Sequence, residues 1–151
     1  MPLRDRIVAL RPPRIAMSLV AAAAAAHLLF PLVVLPPSVS GGMLLGTAGF
    51  ALMIRAWWLF RRVGTPICPT HDATTLLTGD VYGFTRNPMY LGMVIAMLGI
   101  AGILSAVSVF VPIVVFVAII HYRFILHEER FMEGLFGDEY LAYKNQVRRW
   151  F

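Results

Sequence analysis

Charge and cysteine are both scarce in this chain, and each shortage excludes something. Charged residues fill 14% of its 151 positions and hydrophobic residues 59%, against about 25% charged in an ordinary soluble domain. Mean hydropathy is +0.75. Water does not tolerate so much apolar surface, so a soluble globular fold is excluded and a membrane protein is the leading class. The one cysteine, Cys68, has no partner for an internal disulfide, and cysteine usage therefore does not reveal the compartment. The length fits a single domain, residues 1–151.

The charges that exist are confined to three places. No Asp, Glu, Lys or Arg occurs from Ile15 to Ile54 or from Asn87 to Tyr122. A spanning helix needs about 20 apolar residues, so each gap is long enough for two. The expected fold is all-α, with four transmembrane helices near residues 15–35, 42–60, 88–104 and 107–126. LPPSVSGG at 35–42 and SAVS at 105–108 are the expected turns, because Pro and Gly stop a helix. Two hairpins result. Residues 1–63 make an N-terminal hairpin, and residues 64–151 hold a loop, the second hairpin and an amphipathic tail.

Both turns lack charge, so an even number of spans puts the N-terminal arm, the loop and the tail on one side of the membrane. Arg4, Arg6, Arg11, Arg14, Arg61 and Arg62 make that side basic, which the positive-inside rule reads as cytoplasmic. The net charge of +5 then reflects topology and contact with anionic lipid. A nucleic-acid binder would carry its basic patch on a soluble module, and none is present. The first apolar run is too long, and lacks the cleavage site, for a signal peptide. A compact chain without a targeting extension points to a bacterial inner membrane.

Inside the spans, Gly42 and Gly46 form a small-xxx-small pair suited to close helix packing. His27, Pro31 and Pro112 also lie there. A histidine near a proline satisfies a freed backbone carbonyl more often than it binds a ligand.

The stretch TRNPMYLG at 85–92 stands at the start of the third apolar run. Asn87 suits an N-cap and Pro88 a first helical residue. That account leaves Tyr90 and Gly92 unused. A helix start also presents free N–H groups to an anion, Arg86 would add charge-assisted bonds, and Gly92 would let a flat ligand approach the backbone. At the far end of the second hairpin, HYRFILHEERFME at 121–133 carries Glu128 and Glu129 where the fourth span leaves the bilayer. Acids near a helix C-terminus oppose its dipole and need compensation, by Arg123, Arg130, loop arginines or a cationic ligand. A tight hairpin brings the two places to one level. Together they suit a ligand that has both a carboxylate and an ammonium, such as an amino-acid head group.

RNPMYLG at 86–92, HEERF at 127–131 and FGDEYLAYKNQVRRW at 136–150 resemble the integral-membrane methyltransferases. That family includes isoprenylcysteine carboxyl methyltransferases and phosphatidylethanolamine N-methyltransferases. The resemblance extends over residues 64–151. It implies S-adenosylmethionine as cofactor, with Arg86, Asn87, Pro88, Tyr90 and Gly92 matching the family's Arg-(His/Asn)-Pro-x-Tyr-x-Gly motif. Glu128 and Glu129 match its paired glutamates and would hold the ammonium and a ribose hydroxyl, in either order. Asn87 stands where isoprenylcysteine enzymes usually carry His, and Asp80-Val81-Tyr82 replaces a frequent Gly-Pro-Tyr. The methyl acceptor therefore stays open among a phospholipid amine, a prenylcysteine carboxylate, a thiol and a fatty acid.

The implied reaction is in-line methyl transfer, in which the cofactor carries the hard chemistry and the protein orients the partners. Arg86 is the expected electrostatic residue. His127 is the candidate base for an acceptor that must lose a proton, ahead of Tyr140 and Tyr143, which are expected to pack the tail. Arg148 and Arg149 would meet an anionic substrate or lipid phosphate, and Trp150 and Phe151 would anchor at the interface. His71 and Asp72 do not make a metal site by themselves, and no metal is expected. The competing readings are a membrane reductase using NADPH and a non-catalytic membrane subunit.

Overall fold

The computed structural model describes residues 12–29, 38–64, 74–105 and 107–151. Arg4, Arg6, Arg11, Pro31, Cys68, His71 and Asp72 lie outside the described residues. The described chain is helical, with no strand. Its helices are α1 (Pro12–Leu29), α2 (Val39–Val63), α3 (Pro88–Leu104), α4 (Val107–Ile119), α5 (Leu126–Phe136) and α6 (Asp138–Gln146). A 3-10 turn at Asp80–Gly83 precedes α3, and a π-helical segment at Ile120–Ile125 joins α4 to α5 without a break. Pro12–Leu29, Val39–Val63 and Val109–Phe136 are long and apolar enough to cross a membrane, and α3 is a shorter apolar helix.

The four apolar segments stand where the charge gaps put them. The third has the expected bounds, Pro88–Leu104, because Pro88 opens it and Ser105 closes it in a left-handed conformation at φ 51°. The others differ at their ends. α2 begins at Val39, so Gly41 and Gly42 belong to the helix and not to the turn. Val107 and Ser108 likewise belong to α4, which shortens the second turn. The fourth span does not stop near residue 126: it runs on through the π segment into α5.

Packing pairs the helices differently from connectivity. α2 lies antiparallel along α3, and α1 packs on α4. Leu28, Leu44 and Val114 are exposed. Lipid is as apolar as leucine, so close van der Waals fit, not apolar burial, must hold such helices together. Glycine provides that fit between α2 and α3. A Cβ on Gly42 would stand 2.6 Å from Gly99 O, and one on Gly49 would stand 2.6 Å from Gly92 O. The expected Gly42 contact is present. Gly46 contributes backbone, since a Cβ on Gly99 would come 2.5 Å from its N. At the closed end, Ser38 N–H donates to Gly102 O at 3.2 Å.

The main core lies among α1, α3 and α4, where Phe116, Ile120 and Ile125 are fully buried beside Ala23, Met97 and Ala101. Trp150 packs against this core. Trp150 is half-buried there, whereas Phe151 is exposed. A second cluster joins Tyr140, Tyr143 and Val147 to Leu76, Met132 and Phe136, which is the tail packing expected of the two tyrosines.

Candidate functional site

The site forms where the start of α3 meets the start of α5. Proline fixes φ for the first helical turn and has no N–H to satisfy, so Pro88 at N1 defines where α3 begins. Pro88 is fully buried. Asn87 holds the N-cap position, but its side chain makes no cap bond. Its amide donates instead to Arg149 O at 3.0 Å, while its backbone N–H donates to Thr85 Oγ1 at 3.2 Å. The motif is thus tied to the tail as well as to its own helix.

Arg86 and Glu129 meet as expected. Nη2 of Arg86 lies 3.1 Å from Oε1 of Glu129, and each side chain is only 7% exposed. Arg86 Nη1 donates to Lys144 O at 3.1 Å. Arg149 completes the group with a fork on Glu129, Nε to Oε1 at 2.8 Å and Nη2 to Oε2 at 2.7 Å. Bidentate guanidinium–carboxylate pairs are among the strongest polar contacts in proteins. Arg86 Nε is buried with no hydrogen-bond partner among the described residues. A buried donor left unpaired is costly, so this N–H suits an acceptor brought by a ligand.

Glu128 behaves differently from its neighbour. Its hydrogen bond comes from a neutral group: the Tyr90 hydroxyl donates to Oε1 at 2.6 Å. Tyr90 stands in the first turn of α3 and Glu128 in the first turn of α5. Two adjacent acids therefore have contrasting settings, one held by two guanidinium groups and one by a phenol.

The remaining expected residues are placed as follows. Gly92 faces α2, where a Cβ would stand 2.7 Å from Gly49 O and 2.6 Å from Met53 Cγ. Its missing side chain serves helix packing, not ligand approach. His127 is exposed and takes no part in the cluster. Of the compensation expected from Arg123, Arg130 or loop arginines, the loop's Arg86 provides part and Arg149 of the tail the rest, and Glu133 pairs with Lys144. Arg130 Nε donates to Leu126 O in its own helix.

Neighbouring turns brace the group. Tyr143 donates its hydroxyl to Tyr82 O at 2.7 Å. Burial raises the phenols of Tyr82 and Tyr143 and pushes Tyr140 up to about 12. Glu129 raises Arg149 by accepting its hydrogen bonds. Asp80 has φ 59°, unusual for a residue with a side chain. Its carboxylate accepts from Val81 N–H at 2.8 Å and pairs with Arg55, which lowers it. These bonds hold the 3-10 turn against α2.

Three features were not found from the sequence. Arg149 was weighed for an anion outside the chain, and nothing in VRRW marks Glu129 as its partner. The strap that tail carbonyls make over residues 85–87 depends on long-range folding. The π segment has no composition signal. π-Bulges are frequent at functional sites, and this one leads into the helix whose first turn carries the glutamates.

The cluster offers a buried guanidinium with a spare donor and a carboxylate whose partner is uncharged. That combination can receive a small zwitterion.

Residues 37–139, more than half of the chain, match the phospholipid methyltransferase family. An uncharacterized protein of Haemophilus influenzae is 36% identical over 62 residues, which cover 41% of this chain and 98% of that protein. No solved structure matches.

Proposed function

Because the chain belongs to the phospholipid methyltransferase family, we propose that it transfers a methyl group from S-adenosylmethionine to a lipophilic or lipid-borne acceptor at the cytoplasmic membrane face. The observation that carries this reading is the buried Arg86 Nε without an acceptor, beside Glu129 and within the same cluster as the Tyr90–Glu128 pair. A ligand with a carboxylate and an ammonium answers both signs of charge there. S-adenosylmethionine has both, and supplies an electrophilic methyl group when bound.

The chain's own residues would bind and orient. Arg86 would take the carboxylate. Glu128 and Glu129 would take the ammonium and a ribose hydroxyl between them. Asn87 and Pro88 set where Arg86 leaves the backbone, Tyr90 fixes Glu128, and Gly92 holds α3 close to α2. Fixing both partners removes entropy from the barrier, and a buried cluster keeps water from competing for these donors. An acceptor amine or hydroxyl must lose a proton, and His127, next to Glu128 in sequence, is the imidazole to test for that role. The family supports a phospholipid amine as the first acceptor to try. The basic residues Arg61 and Arg62 at the end of α2 support the cytoplasmic side for this face, and a bacterial inner membrane is the setting we propose.

The test is binding of radiolabelled S-adenosylmethionine to detergent-purified protein, beside Arg86→Ala and Glu129→Ala and with NADPH as competitor. Saturable binding, lost in both variants and indifferent to NADPH, is the expected result. No binding by folded wild-type protein refutes the reading. Displacement by NADPH would favour a reductase, and two variants that only lower the melting temperature would favour a non-catalytic subunit.

A further inference from the structure

The family match ends at residue 139, but the cluster does not. Beyond α6 the chain folds back along the motif. Arg148 O accepts from Arg86 N–H at 3.0 Å. Arg149 O accepts from the Thr85 hydroxyl and from the Asn87 amide, each at 3.0 Å. Meanwhile the Arg149 side chain reaches Glu129 with both prongs of its guanidinium. One residue of the tail thus contacts the motif through its carbonyl and Glu129 through its side chain.

The distribution of donors on Arg86 gives this contact a consequence. Nη1 is held by Lys144 O and Nη2 faces Glu129 Oε1, while Nε has no partner among the described residues. A guanidinium beside a lone carboxylate prefers to bind it with two parallel N–H bonds. On Arg86 such a pair with Glu129 would use Nε together with Nη2. Arg149 forks across both oxygens of Glu129, and Arg86 shares Oε1 with it through Nη2 alone, a single-pronged contact. We infer that Arg149 is a positioning residue of the cofactor site: by taking both oxygens of Glu129 it keeps Arg86 Nε available for the carboxylate of the bound zwitterion.

This inference rests on the cofactor reading above, and the experiment separates the two. Equilibrium binding to the full chain in detergent is measured for wild type, Arg149→Gln and Arg149→Lys. Two probes are used: S-adenosylmethionine and its decarboxylated analogue, which keeps the sulfonium and an ammonium but has no carboxylate. Thermal unfolding of each variant is followed in parallel. Arg149→Gln is expected to weaken S-adenosylmethionine about tenfold or more, the scale of one charge-assisted hydrogen bond, and to leave the analogue within about threefold of wild type. Lysine restores the charge but not the fork, so Arg149→Lys falls between wild type and Arg149→Gln.

Equal weakening of both probes by Arg149→Gln would make the tail merely structural and overturn the inference, with the cofactor reading intact. Unchanged binding of S-adenosylmethionine by that variant would overturn it too. If Arg149→Gln does not fold, Arg149→Lys decides by the same comparison of probes. Wild-type protein that binds neither probe overturns the cofactor reading, and the inference with it.

Discussion

The Tyr90 hydroxyl donates a hydrogen bond to Glu128 Oε1 across 2.6 Å, from the first turn of α3 to the first turn of α5. The bond joins the two motifs that stand at opposite ends of the second hairpin. Among the described residues, Glu128 has no guanidinium partner of the kind that Glu129 has twice. Removing the hydroxyl therefore removes a neutral donor from an acid set in low dielectric. Tyr90→Phe is expected to cost about 1–3 kcal/mol of stability, the scale of a buried polar group left unmatched. It should also weaken S-adenosylmethionine binding, because Glu128 loses its orientation. Thermal unfolding in detergent and equilibrium binding measure both. A variant equal to wild type in each would show that the bond does not organise the site.

Arg86 and Glu129 are a buried ion pair, and such pairs are worth less than the cost of breaking them. Taking away one partner strands the other charge at about 3–5 kcal/mol. Arg86→Met leaves Glu129 its fork from Arg149, whereas Glu129→Gln strands both Arg86 and Arg149, so Glu129→Gln should destabilise the more. The double variant should fall short of the sum by about 0.5–3 kcal/mol, the range for residues in one network. A thermodynamic cycle over the four proteins gives the coupling. Strict additivity would mean that the 3.1 Å contact carries no energy.

The long-range apolar pattern was legible because bilayer thickness imposes it on any spanning helix. Pro88 and the short turn after Leu104 therefore mark α3 at both ends. The approach of Arg86 to Glu129 was legible for the same reason: a hairpin of fixed height returns its ends to one level. Gly92 shows where that reasoning fails. Glycine serves a ligand and a neighbouring helix equally well, and only the antiparallel contact of α2 with α3 decides between them. The partner of Glu129 was missed because Arg149 reaches it by a fold-back of the tail, over a separation that no helical period encodes. The π segment is not legible because its buried residues, Ile120 and Ile125, are ones that any apolar helix would carry.

The tail tyrosines give a pH dependence with a defined sign. Burial pushes Tyr140 up to about 12 and raises Tyr143 as well, while an unfolded chain titrates near 10. The folded state therefore binds these protons more tightly. The stability they contribute is fully present below about pH 10 and is lost as pH rises from there through about 12. Unfolding midpoints in detergent should stay flat with respect to these groups up to the lower limit and fall beyond it. Tyr140→Phe should flatten part of that fall. Phenolate absorbance followed in the same samples would report the titration directly, and an onset near 10 in folded protein would contradict the burial of these side chains.

Gly46 and Gly99 face one another across α2 and α3, yet they should respond oppositely to alanine. A Cβ on Gly99 would meet Gly46 N at 2.5 Å and Gly42 O at 2.6 Å, both backbone atoms that cannot swing aside. A Cβ on Gly46 would meet nothing within 4 Å. Gly99→Ala therefore has to push the helices apart, and overpacking of this kind costs about 1–3 kcal/mol. Gly46→Ala only removes backbone freedom from the unfolded helix, which favours the fold by about 0.5–1 kcal/mol. Melting temperatures in detergent should fall for the first and stay level or rise for the second. Separation of α2 from α3 would also shift Gly92, and with it the helix start that carries Arg86, so Gly99→Ala should weaken S-adenosylmethionine binding although its residue lies at the far end of α3. Equal and opposite behaviour of the two glycines would place the seam between these helices on backbone contact. Equal loss at both would mean that α2 turns a different face to α3, with the side of Gly46 packed as tightly as that of Gly99.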